Sequence, residues 1–144
     1  MEFDFQHSRV IEEIKSRGAK KILIQLPEGI KKEGLNIINE LKNGTDAKFI
    51  VSGETCWGGC DIAVDEAKNL GADLIVHYGH ASFKEYEYKD IVYVECYDNF
   101  DITPLLEKSL KEIKEFHVVA LVSSIQHIHK LKDAKALLEK NNKQ

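Results

Sequence analysis

The sequence of 144 residues lacks the features of several protein classes. It has no apolar run near the roughly 18 residues of a membrane span, and its first residues resemble neither a signal peptide nor an Arg-rich transit sequence. It also lacks an excess of positive charge, because 20 Lys and Arg residues stand against 24 Asp and Glu, for a formal net charge of −4. Nucleic-acid affinity depends on cations that displace counterions from phosphates. We therefore expect a cytoplasmic protein with no nucleic-acid or membrane partner.

Cysteine is scarce, and its three copies are unevenly placed. Cys56 and Cys60 lie four residues apart, whereas Cys96 stands alone. In a reducing compartment structural disulfides are rare, and grouped thiols more often serve metals or catalysis. Cys96 follows a predicted strand without neighbouring glycines or a second thiol, so we expect a structural role for it. Metal binding and redox chemistry are therefore both candidate roles for Cys56 and Cys60.

The order of apolar patterns predicts an α/β fold. Hydrophobic residues make up 43% of the chain, enough for one good core. Short aliphatic runs typical of buried strands alternate with segments whose apolar residues recur at helical spacing. The predicted strands are 21–26, 47–52, 73–78, 91–95 and 117–122, and the predicted helices are 8–17, one through 35–41, 61–70, one that opens at Thr103, and one around 131–138. This alternation predicts a mainly parallel sheet with helices on both faces, whose ligands bind beyond the carboxyl ends of the strands.

The densest chemical signal is the segment SGETCWGGCD at 52–61, which runs from a strand end into a predicted helix. If that helix begins at Asp61, Cys60 faces unpaired backbone N–H groups and the positive end of the helix dipole, which favour a thiolate. Cys60 is then the better ligand candidate. The glycines would let the backbone approach a cluster or an anion. The spacing alone leaves three roles open: metal ligands, inert buried cysteines, or a phosphate-binding loop without the usual Gly-Lys-Ser/Thr ending.

Histidines follow two other predicted strands at the same edge of the sheet. His77 and His80 flank the end of the third strand, and His127 and His129 follow the last one. Such residues could orient a substrate or transfer protons near neutral pH. The alternative for His77 is a strand-end ring bonded to a backbone carbonyl, which makes His80 the better functional candidate. One of the two alternating histidines after the last strand should face solvent.

Four blocks of the sequence, each at a strand end, resemble the archaeal diphthamide biosynthesis family of 2-(3-amino-3-carboxypropyl)histidine synthases. The blocks are KILIQLPEGI at 21–30, SGETCWGGCD at 52–61, LGADLIVHYGHASF at 70–83 and LVSSIQHIHKL at 121–131. The resemblance implies three related α/β domains, of which this chain matches the first, and each gives one cysteine to a shared [4Fe–4S] cluster that binds S-adenosylmethionine. The first family cysteine follows two small residues and precedes an acidic one, which matches Cys60. Cys56 is then an accessory thiol.

The resemblance also implies a reaction. It is the first step of diphthamide biosynthesis, in which a 3-amino-3-carboxypropyl group moves from S-adenosylmethionine to a histidine of translation elongation factor 2. A low-potential cluster would reduce the sulfonium and release the group as a radical, with methylthioadenosine as the other product. No catalytic side chain is assigned. The implied metal ligand is Cys60, and the implied neighbours of the cofactor pocket are Gly59, Gly79, His80, Gln126 and His127.

The chain departs from the family pattern because the second and third cluster cysteines have no counterpart in it, and Cys96 matches neither. We expect a first domain over 1–116 and the first strand-helix unit of a truncated second repeat over 117–144. Three interpretations follow: a fragment, a split subunit completed by a partner chain or a homodimer mate, or a remnant retained for binding. The alternative functions are a non-catalytic scaffold that docks elongation factor 2 or a sister subunit, and a small zinc or redox module that uses Cys56 and Cys60.

Overall fold

The computed structural model describes residues 3–88 and 90–144, which divide into two compact units. The larger unit is Phe5–Cys96, and the smaller one joins residues 3–4 to Tyr97–Gln144. In chain order the elements are β1 (Phe3–Asp4), α1 (His7–Arg17), β2 (Lys21–Gln25), a 3-10 helix (Glu28–Glu33), α2 (Gly34–Lys42), β3 (Lys48–Val51), α3 (Val64–Leu70), β4 (Leu74–Tyr78), β5 (Ile91–Val94), β6 (Tyr97–Asp98), α4 (Thr103–Ser109), a second 3-10 helix (Ile125–Lys130) and α5 (Leu131–Lys140). No helix among these is both long enough and apolar enough to cross a bilayer.

The larger unit is built on a four-stranded parallel sheet with the order β3-β2-β4-β5. Its two central strands are continuous apolar runs, with Ile22, Leu23 and Ile24 fully buried in β2 and Leu74 and Ile75 fully buried in β4. Central strands of a parallel sheet are buried on both faces, so they show no polar alternation. The predicted α/β class and the parallel sheet are confirmed.

Helices cover both faces of this sheet. Successive side chains of a strand point to opposite faces, and Leu23 and Ile75 point to the face on which α3 packs through Ala67. Helices α1 and α2 contact each other and bury Val10, Ile14 and other apolar residues. Gly18 and Gly71 end α1 and α3 in the left-handed conformation, as the sequence predicted.

The strand order places a topological switch point between β2 and β4. The chain leaves β2 for β3 on one side, then crosses back so that β4 lies on the other side of β2. At this point the loops after the two strands diverge and leave a crevice at their carboxyl ends. Gln25 and His77 are paired at the last position of this ladder. Both side chains are polar and almost wholly buried, which marks the crevice as a built site.

Several predicted details of the helices differ in the structure. Helix α3 begins at Val64, three residues after its predicted start, and its last residue, Leu70, is 38% exposed. Leu35 is 74% exposed, because α2 faces the core through Ile37, Ile38 and Leu41 instead. The short helices therefore leave some of their apolar residues exposed to solvent.

The smaller unit does not contain the predicted strand at 117–122. In its described residues the strand pair is β1 with β6, which is antiparallel. The 117–122 segment instead bonds with Gln144: the Val119 N–H donates to the Gln144 carbonyl at 2.7 Å, and the Gln144 N–H donates to the His117 carbonyl at 2.8 Å. Its apolar side chains are largely exposed, Val122 being 92% accessible. The compact units divide after Cys96, and the domain boundary at 116/117 stays a prediction.

Asp73 lies just before β4 and bonds to the backbone at the start of β2, so it links the beginnings of the two central strands. Its replacement tests the fold. Its Oδ2 accepts the backbone N–H groups of Lys20 and Lys21, each at 2.8 Å, and these bonds lower the carboxyl pKa. We expect Asp73→Ala to lower the free energy of unfolding by about 1 kcal/mol at neutral pH, since these bonds are solvent-exposed. Urea unfolding, with the exposed Asp46→Ala as control, measures the loss.

The pH dependence of that loss has a defined sign. A carboxylate with a lowered folded pKa contributes stability above its unfolded pKa, and the contribution disappears as pH falls through the folded pKa. The difference between the wild type and Asp73→Ala should therefore shrink in acid. A difference that grows in acid would contradict this assignment.

Candidate functional site

The site is organised by the Gln25 side chain at the carboxyl end of β2. Its Nε2 donates to the Asp61 carbonyl at 2.7 Å, and its Oε1 accepts the Ala63 N–H at 3.1 Å. This pair of bonds orients the amide, because a carbonyl can only accept and an N–H can only donate. The same Oε1 lies 2.9 Å from Nδ1 of His77. Nδ1 therefore carries the hydrogen of the neutral imidazole, and Nε2 of His77 presents a lone pair.

His77 and His80 form a pair of neutral imidazoles. Nε2 of His77 lies 3.0 Å from Nδ1 of His80, so the His80 N–H donates to it. Burial, with a smaller contribution from His80, lowers the pKa of His77 to about 4, and burial also lowers the pKa of His80. The partner of His77 is thus a side-chain amide and a second histidine, not the backbone carbonyl that the sequence allowed.

Cys56 lies beside these histidines. It is 4% exposed, and one ligand atom from each of Cys56, His77 and His80 falls within 4.8 Å of the others. The Gly58 N–H donates to the Cys56 sulfur, while burial raises the pKa of the thiol. The four-residue spacing suggested a pair of Cys56 with Cys60, but the structure groups Cys56 with the histidines. The available signal was that His77 lies at the end of β4, while His80 and Cys56 follow β4 and β3, so that all three converge on one edge of a parallel sheet.

Cys60 is exposed and lies in a turn closed by a 3.0 Å bond from the Asp61 N–H to the Gly58 carbonyl. The expectation that it stands at a helix start is wrong, because α3 begins only at Val64. The physical reason is Gln25, whose amide occupies the Asp61 carbonyl and the Ala63 N–H. Accessibility, not a helix dipole, distinguishes Cys60 from the other thiols. Cys96 is 1% exposed and its thiol donates to the Val94 carbonyl, which fits a structural role.

Two glycines let the loops of the site approach one another. A Cβ at Gly59 would lie 2.3 Å from the Ala81 carbonyl oxygen, and the Tyr86 hydroxyl donates to the Gly59 carbonyl. Gly79 has a φ of 85°, and a Cβ there would lie 2.9 Å from the Pro27 ring. The loop that carries Cys60 and the loop after β4 therefore contact each other through their backbones, where there is no room for a side chain.

An acidic cavity of about 540 Å³ adjoins this arrangement. Gln25 and Asp61 line it, and its other carboxylates come from Glu54, Asp65 and Glu66. The Ser52 hydroxyl donates to Glu66 across the strand end. The lining gives the cavity a negative character that suits a cationic ligand.

Gln126 and His127 belong to the smaller unit, on the 3-10 helix Ile125–Lys130. His129 is the exposed member of the histidine pair, and its ring packs against Tyr97 at 5.3 Å between centroids. The prediction that Gln126 and His127 border a cofactor pocket stays a prediction.

The fold and the site define a class: a doubly wound α/β domain with thiols and histidines at its switch point. Residues 26–144 match the family model described as "Putative diphthamide synthesis protein", so the chain belongs to this family. The chain is 34% identical to the 2-(3-amino-3-carboxypropyl)histidine synthase of Pyrococcus horikoshii, over 92% of this chain and 39% of that protein. It is also 34% identical to the synthase of the same name from Methanocaldococcus jannaschii, over 91% of this chain and 43% of that protein. The chain thus spans about two-fifths of the length of these relatives.

Solved structures agree with this membership. The crystal structure of Dph2 from Pyrococcus horikoshii superposes with a TM-score of 0.88 at 30% identity, covering 99% of this chain and 42% of that one. A crystal structure of the same protein with a 4Fe-4S cluster also gives a TM-score of 0.88, at 29% identity.

A neighbouring pair of glycines provides a matched test of the loop contact. Gly59→Ala forces a methyl group against the Ala81 backbone, whereas a Cβ at Gly58 meets only the Cys60 sulfur at an ordinary 3.8 Å. We expect Gly59→Ala to cost about 1–3 kcal/mol of unfolding free energy, as overpacking does, and Gly58→Ala less. Urea unfolding and the rate at which a disulfide reagent modifies Cys60 should both separate the variants. Equal effects of the two substitutions would contradict the close contact.

Proposed function

We propose that this chain supplies Cys60 as one ligand of a [4Fe–4S] cluster for the first step of diphthamide biosynthesis. The reaction is the transfer of a 3-amino-3-carboxypropyl group from S-adenosylmethionine to a histidine of translation elongation factor 2. The observation that carries the proposal is the accessibility of Cys60, on a loop at the switch point, in a chain whose structural relative binds a 4Fe-4S cluster.

The thiols of the chain can supply one ligand of such a cluster and no more. Cubane clusters are held by several cysteine thiolates. Cys56 and Cys96 are buried, so Cys60 alone is accessible to a large inorganic group. The remaining ligands would come from a partner polypeptide or a second copy of the chain. This favours a fragment or split subunit, with 1–116 as the first domain and 117–144 as the start of a second repeat.

The surroundings of Cys60 suit a cationic substrate. S-adenosylmethionine carries a sulfonium and an ammonium group, and the adjoining cavity is lined by carboxylates. His77 and His80 have lowered pKa values, so they add no positive charge at neutral pH. When bound, the cluster would supply the electron that cleaves the sulfonium. The residues of this chain would hold the cluster corner through Cys60, keep the loop close through Gly59 and Gly79, and balance the charge of the substrate. The site of action would be the cytoplasm, where elongation factor 2 works.

A second candidate is a non-catalytic subunit that docks elongation factor 2 or a sister chain. The observation that favours it is the exposed apolar surface of two side chains near the site, Trp57 at 83% exposure and Phe83 at 78%. Large exposed aromatics are enriched at protein interfaces. This function needs the surface but no iron.

Anaerobic reconstitution distinguishes the two functions. The chain is treated with iron and sulfide, alone and mixed with a polypeptide spanning the part of the Pyrococcus horikoshii synthase that this chain does not cover. We expect bound iron, acid-labile sulfide and visible absorption to reach cluster values only in the mixture, and methylthioadenosine to form when S-adenosylmethionine and a reductant are added.

Cysteine variants locate the ligand. Cys60→Ala should abolish the contribution of this chain to the cluster, and Cys96→Ala should retain it. Retained iron in Cys60→Ala with lost iron in Cys96→Ala would overturn the ligand assignment. Complex formation in the mixture without any iron would favour the scaffold function.

A further inference from the structure

We propose that Cys56, His77 and His80 form a mononuclear binding site for a borderline divalent transition metal such as Zn²⁺, separate from the cluster proposed at Cys60. The ligand atoms are the Cys56 sulfur, Nε2 of His77 and Nδ1 of His80. One sulfur and two imidazole nitrogens are a donor set typical of zinc sites.

The distances fit such a site. The three ligand atoms lie within 4.8 Å of one another, and the two nitrogens are 3.0 Å apart. In a tetrahedral zinc site with bonds of roughly 2.0–2.3 Å, ligand atoms lie about 3.3–3.6 Å apart. Binding the ion therefore requires the two nitrogens to separate slightly and the sulfur to move closer to them. His80 is only half-buried, which leaves a side open for a fourth ligand from solvent.

Each buried ligand atom is already oriented by a second hydrogen bond. Gln25 holds Nδ1–H of His77, so Nε2 is left as the lone-pair nitrogen, and Gln25 is itself held by Asp61 and Ala63. Burial raises the pKa of the Cys56 thiol, and the Gly58 N–H, which donates to its sulfur, orients the sulfur and offsets part of that effect. Such outer partners are a regular feature of metal sites, because they fix the ring tautomer and orient the ligands.

The charge and proton changes on binding are simple. The Cys56 thiol loses its proton to solvent, and His80 moves its hydrogen from Nδ1 to Nε2, so one proton leaves for each ion bound. The thiolate neutralises one of the two charges of the ion. The Asp61 carboxylate interacts electrostatically with both Cys56 and His77, so it offsets part of the other charge. The buried Cys56 and His77 are thus compatible with a bound cation.

Cobalt titration tests the site in the full metal-free chain, without iron, sulfide or a partner polypeptide. Tetrahedral Co²⁺ gives visible ligand-field bands, and a thiolate ligand adds a near-ultraviolet charge-transfer band. We expect one Co²⁺ per chain with both signatures, displaced by Zn²⁺. His80→Asn should weaken binding by at least about 100-fold, since it removes a direct ligand and outer partners alone are worth 10–100-fold.

Thiol variants assign the sulfur ligand. Cys56→Ser should lose the charge-transfer band while circular dichroism stays native, and Cys60→Ala and Cys96→Ala should keep it. If Cys56→Ser does not fold, retention of the near-ultraviolet band in both Cys60→Ala and Cys96→Ala decides the assignment, because Cys56 is then the thiol left to supply it. A band that disappears in Cys60→Ala, or no stoichiometric binding by the wild type, overturns the proposal. Neither result bears on cluster assembly in the iron-containing mixture.

Discussion

The hydrogen bonds of the buried Gln25 amide are the constraint on which the site depends. One side chain at the end of β2 reaches the chain after β3 through Asp61 and Ala63, and the end of β4 through His77. Three segments that are distant in sequence are thereby held at the switch point. Because the amide is buried, any loss of a partner would leave a polar group unsatisfied, which raises the energetic cost of rearrangement.

This constraint also separates two thiols that are only four residues apart. The bonds from Gln25 keep 61–63 out of α3, so the preceding residues form a turn instead of a helical start. In that turn Cys60 is exposed, while Cys56 is buried against the histidines. Exposure suits a ligand shared with a large group from another polypeptide, and burial suits a small ion enclosed by one chain. Under the two proposals, the same loop would present two different kinds of metal ligand.

Much of the fold could be predicted from local patterns, and the failures share a cause. Local sequence alone predicts the apolar runs of β2 and β4 and the helix-ending glycines Gly18 and Gly71. The start of α3 is set by Gln25, which lies 36 residues away from Asp61 in sequence. The 117–122 segment has a strand's composition, yet its backbone bonds involve Gln144. Both depend on partners that periodicity does not encode.

The same limit applied to the site. Position at a strand end made Cys60 and the segment 77–80 candidates, because parallel strands bring their carboxyl ends to one edge, whereas the segment 126–129 was chosen after a strand at 117–122 that is not formed. Position in the sequence did not identify Gln25, since a glutamine inside an apolar run looks like a tolerated polar residue. Nor did it identify Cys56 as a partner of His77 and His80, because that grouping depends on which way each loop turns. Burial of polar groups, which only the structure provides, is what distinguishes the organising residue from its neighbours.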